Sequence, residues 1–137
     1  MAVTRRTDYA MRFMLELASA GGQAPLPAAR LAELADVPYE FARSILTELT
    51  AAGLLRSVRG AAGGFALARP ASEISVADIL QAMQETALLN QCVEDPTHCP
   101  RSGHCPMHGV WCEADEALMR FLSDRDLESI VGNRKGR

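Results

Sequence analysis

Between Cys92 and Cys112 runs CVEDPTHCPRSGHCPMHGVWC, which holds all 4 cysteines and all 3 histidines of the chain. The cysteines are spaced C-x6-C-x5-C-x6-C, with His98, His104 and His108 interspersed. Thiolate sulfur and imidazole nitrogen are soft donors. Gathered in a loop with Pro and Gly, they suit a transition metal or an iron–sulfur cluster. Three other readings compete: a disulfide pair, a structural zinc site, and a thiolate nucleophile at Cys105 or Cys112 beside a histidine. The spacings are long for a C-x2-4-C zinc knuckle. No oxyanion-hole element or substrate pocket is evident, so an enzyme is not expected.

The remaining residues have to position those donors. A chain of 137 residues, 48% of them apolar, is domain-sized, with room for an assembly element. No apolar run approaches the roughly 20 residues of a membrane span, and the start lacks a signal peptide's apolar core and cleavage site. A cytoplasmic protein without membrane contact is expected, where clustered thiols bind metal more often than they pair.

Charge is unevenly distributed. Residues 1–70 carry 8 arginines against 6 acids, while residues 71–137 carry 6 basic and 11 acidic side chains. All basic residues but Lys135 are Arg, the type that grips phosphate and guanine with two hydrogen bonds. The N-terminal half is therefore the expected nucleic-acid side.

Hydrophobic spacing supplies the elements. Ala10, Phe13, Met14, Leu17 and Ala18 share one face of a helix over 7–20, with Thr7 as N-cap, Asp8 in the first turn and Gly21-Gly22 as the stop. AARLAELA (28–35) is a short helix. After Asp36-Val37-Pro38 a third helix runs over 38–52, with Phe41, Ala42, Ile45, Leu46 and Leu49 inward and Tyr39, Glu40, Arg43, Ser44 and Thr47 outward. A helix, a tight turn and a second helix with a polar outer face make a helix-turn-helix. LLRSVRG (54–60) and FALARP (65–70) then read as strands around Gly60–Gly64, a hairpin carrying Arg56 and Arg59. The fold class is mainly α with a small β-hairpin, a winged helix-turn-helix.

Ser75 and Asp78 form a capping box for a helix over 75–85. Beyond the cysteine loop, residues 107–122 form a long helix with Trp111, Ala114, Leu118, Phe121 and Leu122 on one stripe, suited to a second copy of the chain. DLESIV (126–131) closes as a short helix, with GNRKGR frayed. The units expected are a winged domain over 1–90, a ligand-holding loop over 91–106, and a dimerisation helix with a C-terminal helix over 107–137.

Four stretches, RTDYAMRFMLELA, SVRGAAGGFALARPASEISVADIL, the cysteine loop and DLESIV, together resemble the Rrf-two-type winged-helix regulators, which include the iron–sulfur regulators NsrR and IscR. The likeness covers nearly the whole chain. It implies a homodimer on double-stranded operator DNA, with no small-molecule substrate, and a cluster near the subunit junction that adjusts DNA affinity. Cys92, Cys99 and Cys105 match the family's three cluster cysteines. The first x6 spacing is one residue longer than the x5 of several members. The fourth ligand has two matches: Asp8 from the partner subunit, as in NsrR-like [4Fe–4S] proteins, and His108, as in IscR-like [2Fe–2S] proteins. Asp8 with [4Fe–4S] is preferred, and Cys112 is a spectator.

The function expected is thus a dimeric repressor sensing nitric oxide, redox state or iron–sulfur status. Its alternative is a zinc-stabilised or cluster-free regulator of the same fold. Tyr39, Glu40, Arg43 and Ser44 would face the major groove, Arg59 and Gly60 of the wing the minor groove, and Arg5 and Arg6 the phosphates.

Overall fold

Ala10, Phe13, Met14 and Leu17 recur at the spacing of one helical face, and all four are fully buried. The structure, a computed structural model, describes residues 3–85 and 89–135. Those four residues lie on α1 (Arg5–Ser19), followed by α2 (Ala28–Ala35), α3 (Tyr39–Ala51), β1 (Leu55–Val58) and β2 (Gly64–Leu67). After these come α4 (Val76–Ala82), α5 (Gln91–Glu94), α6 (Pro106–Ser123) and α7 (Leu127–Lys135). Single 3-10 turns occupy Ala71–Glu73 and Pro96–His98.

α1 is the centre of the domain. Helices α2, α3, α4 and α7 and strand β2 all pack on it, and Leu31, Ile45, Leu46, Leu49, Ile74 and Ile79 close the core around it. The left-handed residue Asp36 (φ 54°) ends α2, and Val37 tucks into the core before α3 begins.

Strands β1 and β2 pair antiparallel from Leu55↔Leu67 to Val58↔Gly64. Leu26 adds a third short rung, exchanging 2.9 Å backbone bonds with Phe65 in both directions. The glycines here are not slack. A Cβ on Gly64 (φ +147°) would stand 2.2 Å from Leu26 O, and one on Gly63 would stand 2.2 Å from Val58 O. Backbones meet where side chains cannot fit.

Four sequence expectations need correction. First, α1 begins at Arg5, not Thr7, because Thr4 is the N-cap and its hydroxyl accepts from Thr7 N. Arg5 and Arg6 therefore lie inside the helix. Second, Phe41 is 46% exposed rather than inward. It falls in the first turn of α3, where Val37 and Ala42 already fill the core, and its ring lies 6.0 Å from that of Tyr9. Third, the strands are shorter than 54–60 and 65–70, since pairing stops at the Gly60 turn. Fourth, α7 runs on through Asn133 to Lys135 with Leu127 and Val131 buried against the domain, so GNRK is not frayed. Gly136 and Arg137 lie outside the described residues.

The Ser75–Asp78 capping box is present, and both of its bonds form. At the α6–α7 corner, Val76 N donates to Arg125 O (2.9 Å) and Leu127 N to Ile74 O (3.0 Å), which fastens the foot of α6 to the entry of α4.

Replacing Gly64 with Ala should cost about 2–3 kcal/mol, from a strained φ plus a backbone clash. Gly103→Ala, with open space around its Cβ position, should stay within about 0.5 kcal/mol. Urea unfolding of both variants checks this.

Candidate metal centre and nucleic-acid interface

Backbone turns bring the thiols together. Asp95 caps the 3-10 turn after Cys92, accepting from Thr97 N (3.0 Å) and Thr97 Oγ1 (2.6 Å). Those bonds hold its carboxyl below the usual range. Ser102 N donates to Cys99 O (3.1 Å) and Cys105 N to Arg101 O (2.8 Å), so the chain folds back before Pro106 opens α6.

The result is a pocket of about 170 Å³ lined by Asn90, Gln91, Cys92, His98, Cys99, Ser102, Cys105, Met107, His108 and Trp111. All four cysteines are free thiols and half-buried, so no disulfide is present. Two atoms of the lining, Ser102 Oγ and His108 Nδ1, are buried without a hydrogen-bond partner. Polar atoms in that state mark a place where a ligand or water belongs.

Among the described residues no three Cys, His, Asp or Glu side chains are close enough to hold one metal ion. Thiols arranged around a cavity instead of a point fit a multi-iron group, in which each thiolate binds a different iron, better than a single zinc ion.

The second expected ligand is not at this pocket. Asp8 lies on α1, half exposed and paired with Arg12 (2.9 Å), whose other donor reaches Asp36 O (3.3 Å). His108 lines the pocket; His104 does not. Cys112 Sγ lies 3.7 Å from His108 Nε2.

Of the sequence-predicted DNA residues, Tyr39, Glu40, Arg43 and Ser44 are exposed on α3, and Arg59 and Gly60 are exposed at the wing turn. Several other arginines are already committed. Arg6 ion-pairs with Glu48 and donates to Ser44 Oγ; Arg56 donates to Gln23 O (2.9 Å); Arg69 meets Asp78 (3.7 Å). Arg5, Arg43 and Arg59 carry no hydrogen bond or ion pair to another described residue. Arg6 and Ser44 are thus brought together, with the charge of Arg6 largely answered by Glu48.

One residue was missed by sequence reasoning. Glu85 Oε1 accepts from Thr4 N (3.1 Å), Thr4 Oγ1 (2.7 Å) and Thr7 Oγ1 (2.8 Å). It joins the chain just past α4 to the start of α1. Its partners lie 81 and 78 positions away, so no local pattern signals it. Trp111 and Ser102 were likewise placed in the pocket only by the fold.

A helix-turn-helix, a wing and a long helix with thiols gathered at its head define a winged-helix transcription regulator. Residues 3–133 match the Rrf2 family, described as iron-dependent transcriptional regulator, and the chain belongs to that family. The HTH-type transcriptional regulator IscR of Photorhabdus laumondii is 30% identical over 135 residues, covering 98% of this chain and 82% of its own. Two solved structures share the fold. T. potens IscR has a TM-score of 0.79 at 23% identity, over 98% of this chain and 88% of its own. CymR, the global cysteine regulator of B. subtilis, has a TM-score of 0.78 at 22% identity, over 97% and 98%. The family is regulatory, and the chain is not an enzyme. Among the described residues no helix is long and apolar enough to cross a membrane.

Glu85 makes the α1–α4 junction pH-dependent. Burial raises its pKa, but the hydrogen bonds from Thr4 and Thr7 outweigh that and hold it below the usual value. A carboxyl lowered on folding stabilises the protein above its unfolded pKa, and that contribution is lost as pH falls through the folded value. Glu85→Gln should therefore lose about 1 kcal/mol or less at pH 7, its exposure discounted, and progressively less as pH falls through the folded value. Unfolding free energies of both proteins between pH 7 and pH 3 measure it.

Proposed function

We propose that the chain is a homodimeric repressor that binds double-stranded operator DNA and senses nitric oxide, redox state or iron–sulfur status through a cluster held by Cys92, Cys99 and Cys105. The observation that carries this reading is the convergence of those three thiols on one pocket at the head of α6. The cluster, preferred as [4Fe–4S] over [2Fe–2S], would supply a redox-active, nitric-oxide-sensitive group whose loss empties the pocket.

The chain's residues do the rest. Met107, Val110 and Phe121 leave an apolar stripe exposed along α6. Pairing of that stripe with a second copy sets two winged domains at the spacing of operator half-sites. Asp8 of the partner subunit completes the ligand set, since Asp8 is not among the residues that line the pocket within one protomer. His108 is the alternative. Ligation by Asp8 would break its pair with Arg12 and pull on the start of α1. Glu85, just past α4, is hydrogen-bonded to that same start. A change in the ligation of Asp8 would thus reach α1, the helix on which α3 and β2 pack.

On DNA, Arg43 and Arg59, unpaired among the described residues, contact bases and phosphates, with Tyr39, Glu40 and Ser44 beside Arg43. Gly60 lets the wing backbone approach the minor groove, and Arg5 serves phosphate. Arg6 contributes mainly by holding α3 through Ser44 and Glu48. The units follow the boundaries 1–90, 91–106 and 107–137.

The alternative is a zinc-stabilised or cluster-free regulator of the same fold. Anaerobic purification followed by native mass spectrometry separates the two. Wild type should carry iron and sulfide, Cys99→Ala none, and Asp8→Ala a labile or smaller cluster. Wild type without iron and sulfide sinks the sensor. On an operator selected from random DNA, Arg43→Ala and Arg59→Ala should each weaken binding by about 1–3 kcal/mol, whereas Arg56→Ala should change it little.

A further inference from the structure

Ser44 is exposed on α3, yet its hydroxyl is tied from another helix. Nη2 of Arg6, on α1, donates to Ser44 Oγ at 2.5 Å, and Nη1 of the same guanidinium ion-pairs with Glu48, one turn further along α3. Ser44 and Glu48 stand four positions apart, so they share a helical face and one planar fork serves both. From this arrangement we infer that Arg6 is a positioning residue for DNA readout, which makes the Ser44 hydroxyl a one-way hydrogen-bond donor toward bases. The inference rests on the reading of α3 as the helix in the major groove.

An untethered serine hydroxyl has one O–H and two lone pairs, so it pairs with donor and acceptor edges alike. In Ser44 the Arg6 N–H takes one lone pair. The guanidinium charge beside the oxygen repels a second incoming N–H and turns the hydroxyl hydrogen away from itself. What Ser44 then offers a base pair is a donor. Guanine N7 and O6, adenine N7 and thymine O4 accept it, whereas the cytosine N4 amino group can only donate. Glu48 supplies the other half. It fixes the plane of the guanidinium and answers its charge, which keeps Arg6 on Ser44 and off the phosphates. The Arg6 and Glu48 side chains are 43% and 29% exposed, and ion pairs at such sites add little stability. The effect of the pair falls on the direction of one hydroxyl.

The test is binding of the full-length protein to duplexes carrying each of the four bases at every half-site position of an operator selected from random DNA. Base preferences and the slope of affinity against salt are measured for wild type, Arg6→Ala, Ser44→Ala and Glu48→Gln. Wild type should disfavour cytosine at one half-site position by about 5-fold, the worth of one neutral hydrogen bond. Ser44→Ala and Arg6→Ala should each erase that discrimination, to within about 2-fold, at that position alone. Arg6→Ala should keep the wild-type salt slope, because it loses no phosphate contact. Glu48→Gln, which releases Arg6 toward phosphate, should weaken the discrimination and steepen the slope by about 1. Discrimination that survives Arg6→Ala but not Ser44→Ala overturns the inference and leaves Ser44 a base reader. A uniform loss of affinity in Arg6→Ala with a slope shallower by about 1 also overturns it, marking a direct phosphate contact. Loosening at several positions at once does the same, marking a merely structural tie. Wild-type preferences at every position in Ser44→Ala are a distinct result, which overturns the reading of Ser44 at DNA as well. Far-ultraviolet circular dichroism shows whether each variant is folded.

Discussion

Burial of one face of α1 is the constraint on which the rest of the structure depends. Each of Phe13, Met14 and Leu17 contributes about 1.5–3 kcal/mol by leaving water, and none of them retains exposed surface. To cover that face the chain must lay α2, α3, α4 and α7 around a single helix. Those contacts fix the angle of α3, the height of the wing and the exit of α4. The proposed DNA-reading surface is what this packing leaves outside. Tyr39, Arg43 and Ser44 are outward because Ala42, Ile45, Leu46 and Leu49 are inward.

The same helix links both ends of the proposed mechanism. Its start is held by one oxygen of Glu85, with three hydrogen bonds converging on it from Thr4 and Thr7. Its first turns carry Arg6, which reaches across to Ser44 and Glu48 on α3, and Asp8, which grips Arg12 beside the α2–α3 turn. Charge-assisted bonds of this kind are directional and partly exposed. They can be exchanged at modest cost, whereas the apolar face beneath them cannot. A rigid core with exchangeable polar ties around the rim of one helix is suited to two orientations of a DNA-binding domain.

The cysteine loop obeys different physics. It has little apolar surface to bury, so its shape comes from proline, Asp95 and short backbone turns. These set thiols around a cavity and leave Ser102 and His108 unsatisfied within it. The spacing of the four cysteines could not separate ligand from spectator. The fold distinguishes them by position: Cys112 lies one turn beyond His108 and faces it, while Cys92, Cys99 and Cys105 line the pocket.

Local pattern alone determined the helix-turn-helix, the hairpin, the Ser75–Asp78 capping box and the long α6, because hydrophobic period, turn glycines and capping side chains act over a few residues. It also singled out the thiol loop, since donor chemistry is written in residue type. Tertiary structure decided what depends on distant neighbours. Phe41 faces outward because the core beneath it is already filled. Thr4 rather than Thr7 begins α1, and Glu85 fastens that start from across the chain. Arg56 and Arg6 are spent on internal contacts, while Arg43 and Arg59 are not. Asp8 does not line the thiol pocket of its own protomer, whereas His108 and Cys112 meet. Each of these is a question of what lies nearby in space, and sequence spacing carries that information only within a helix turn or a hairpin.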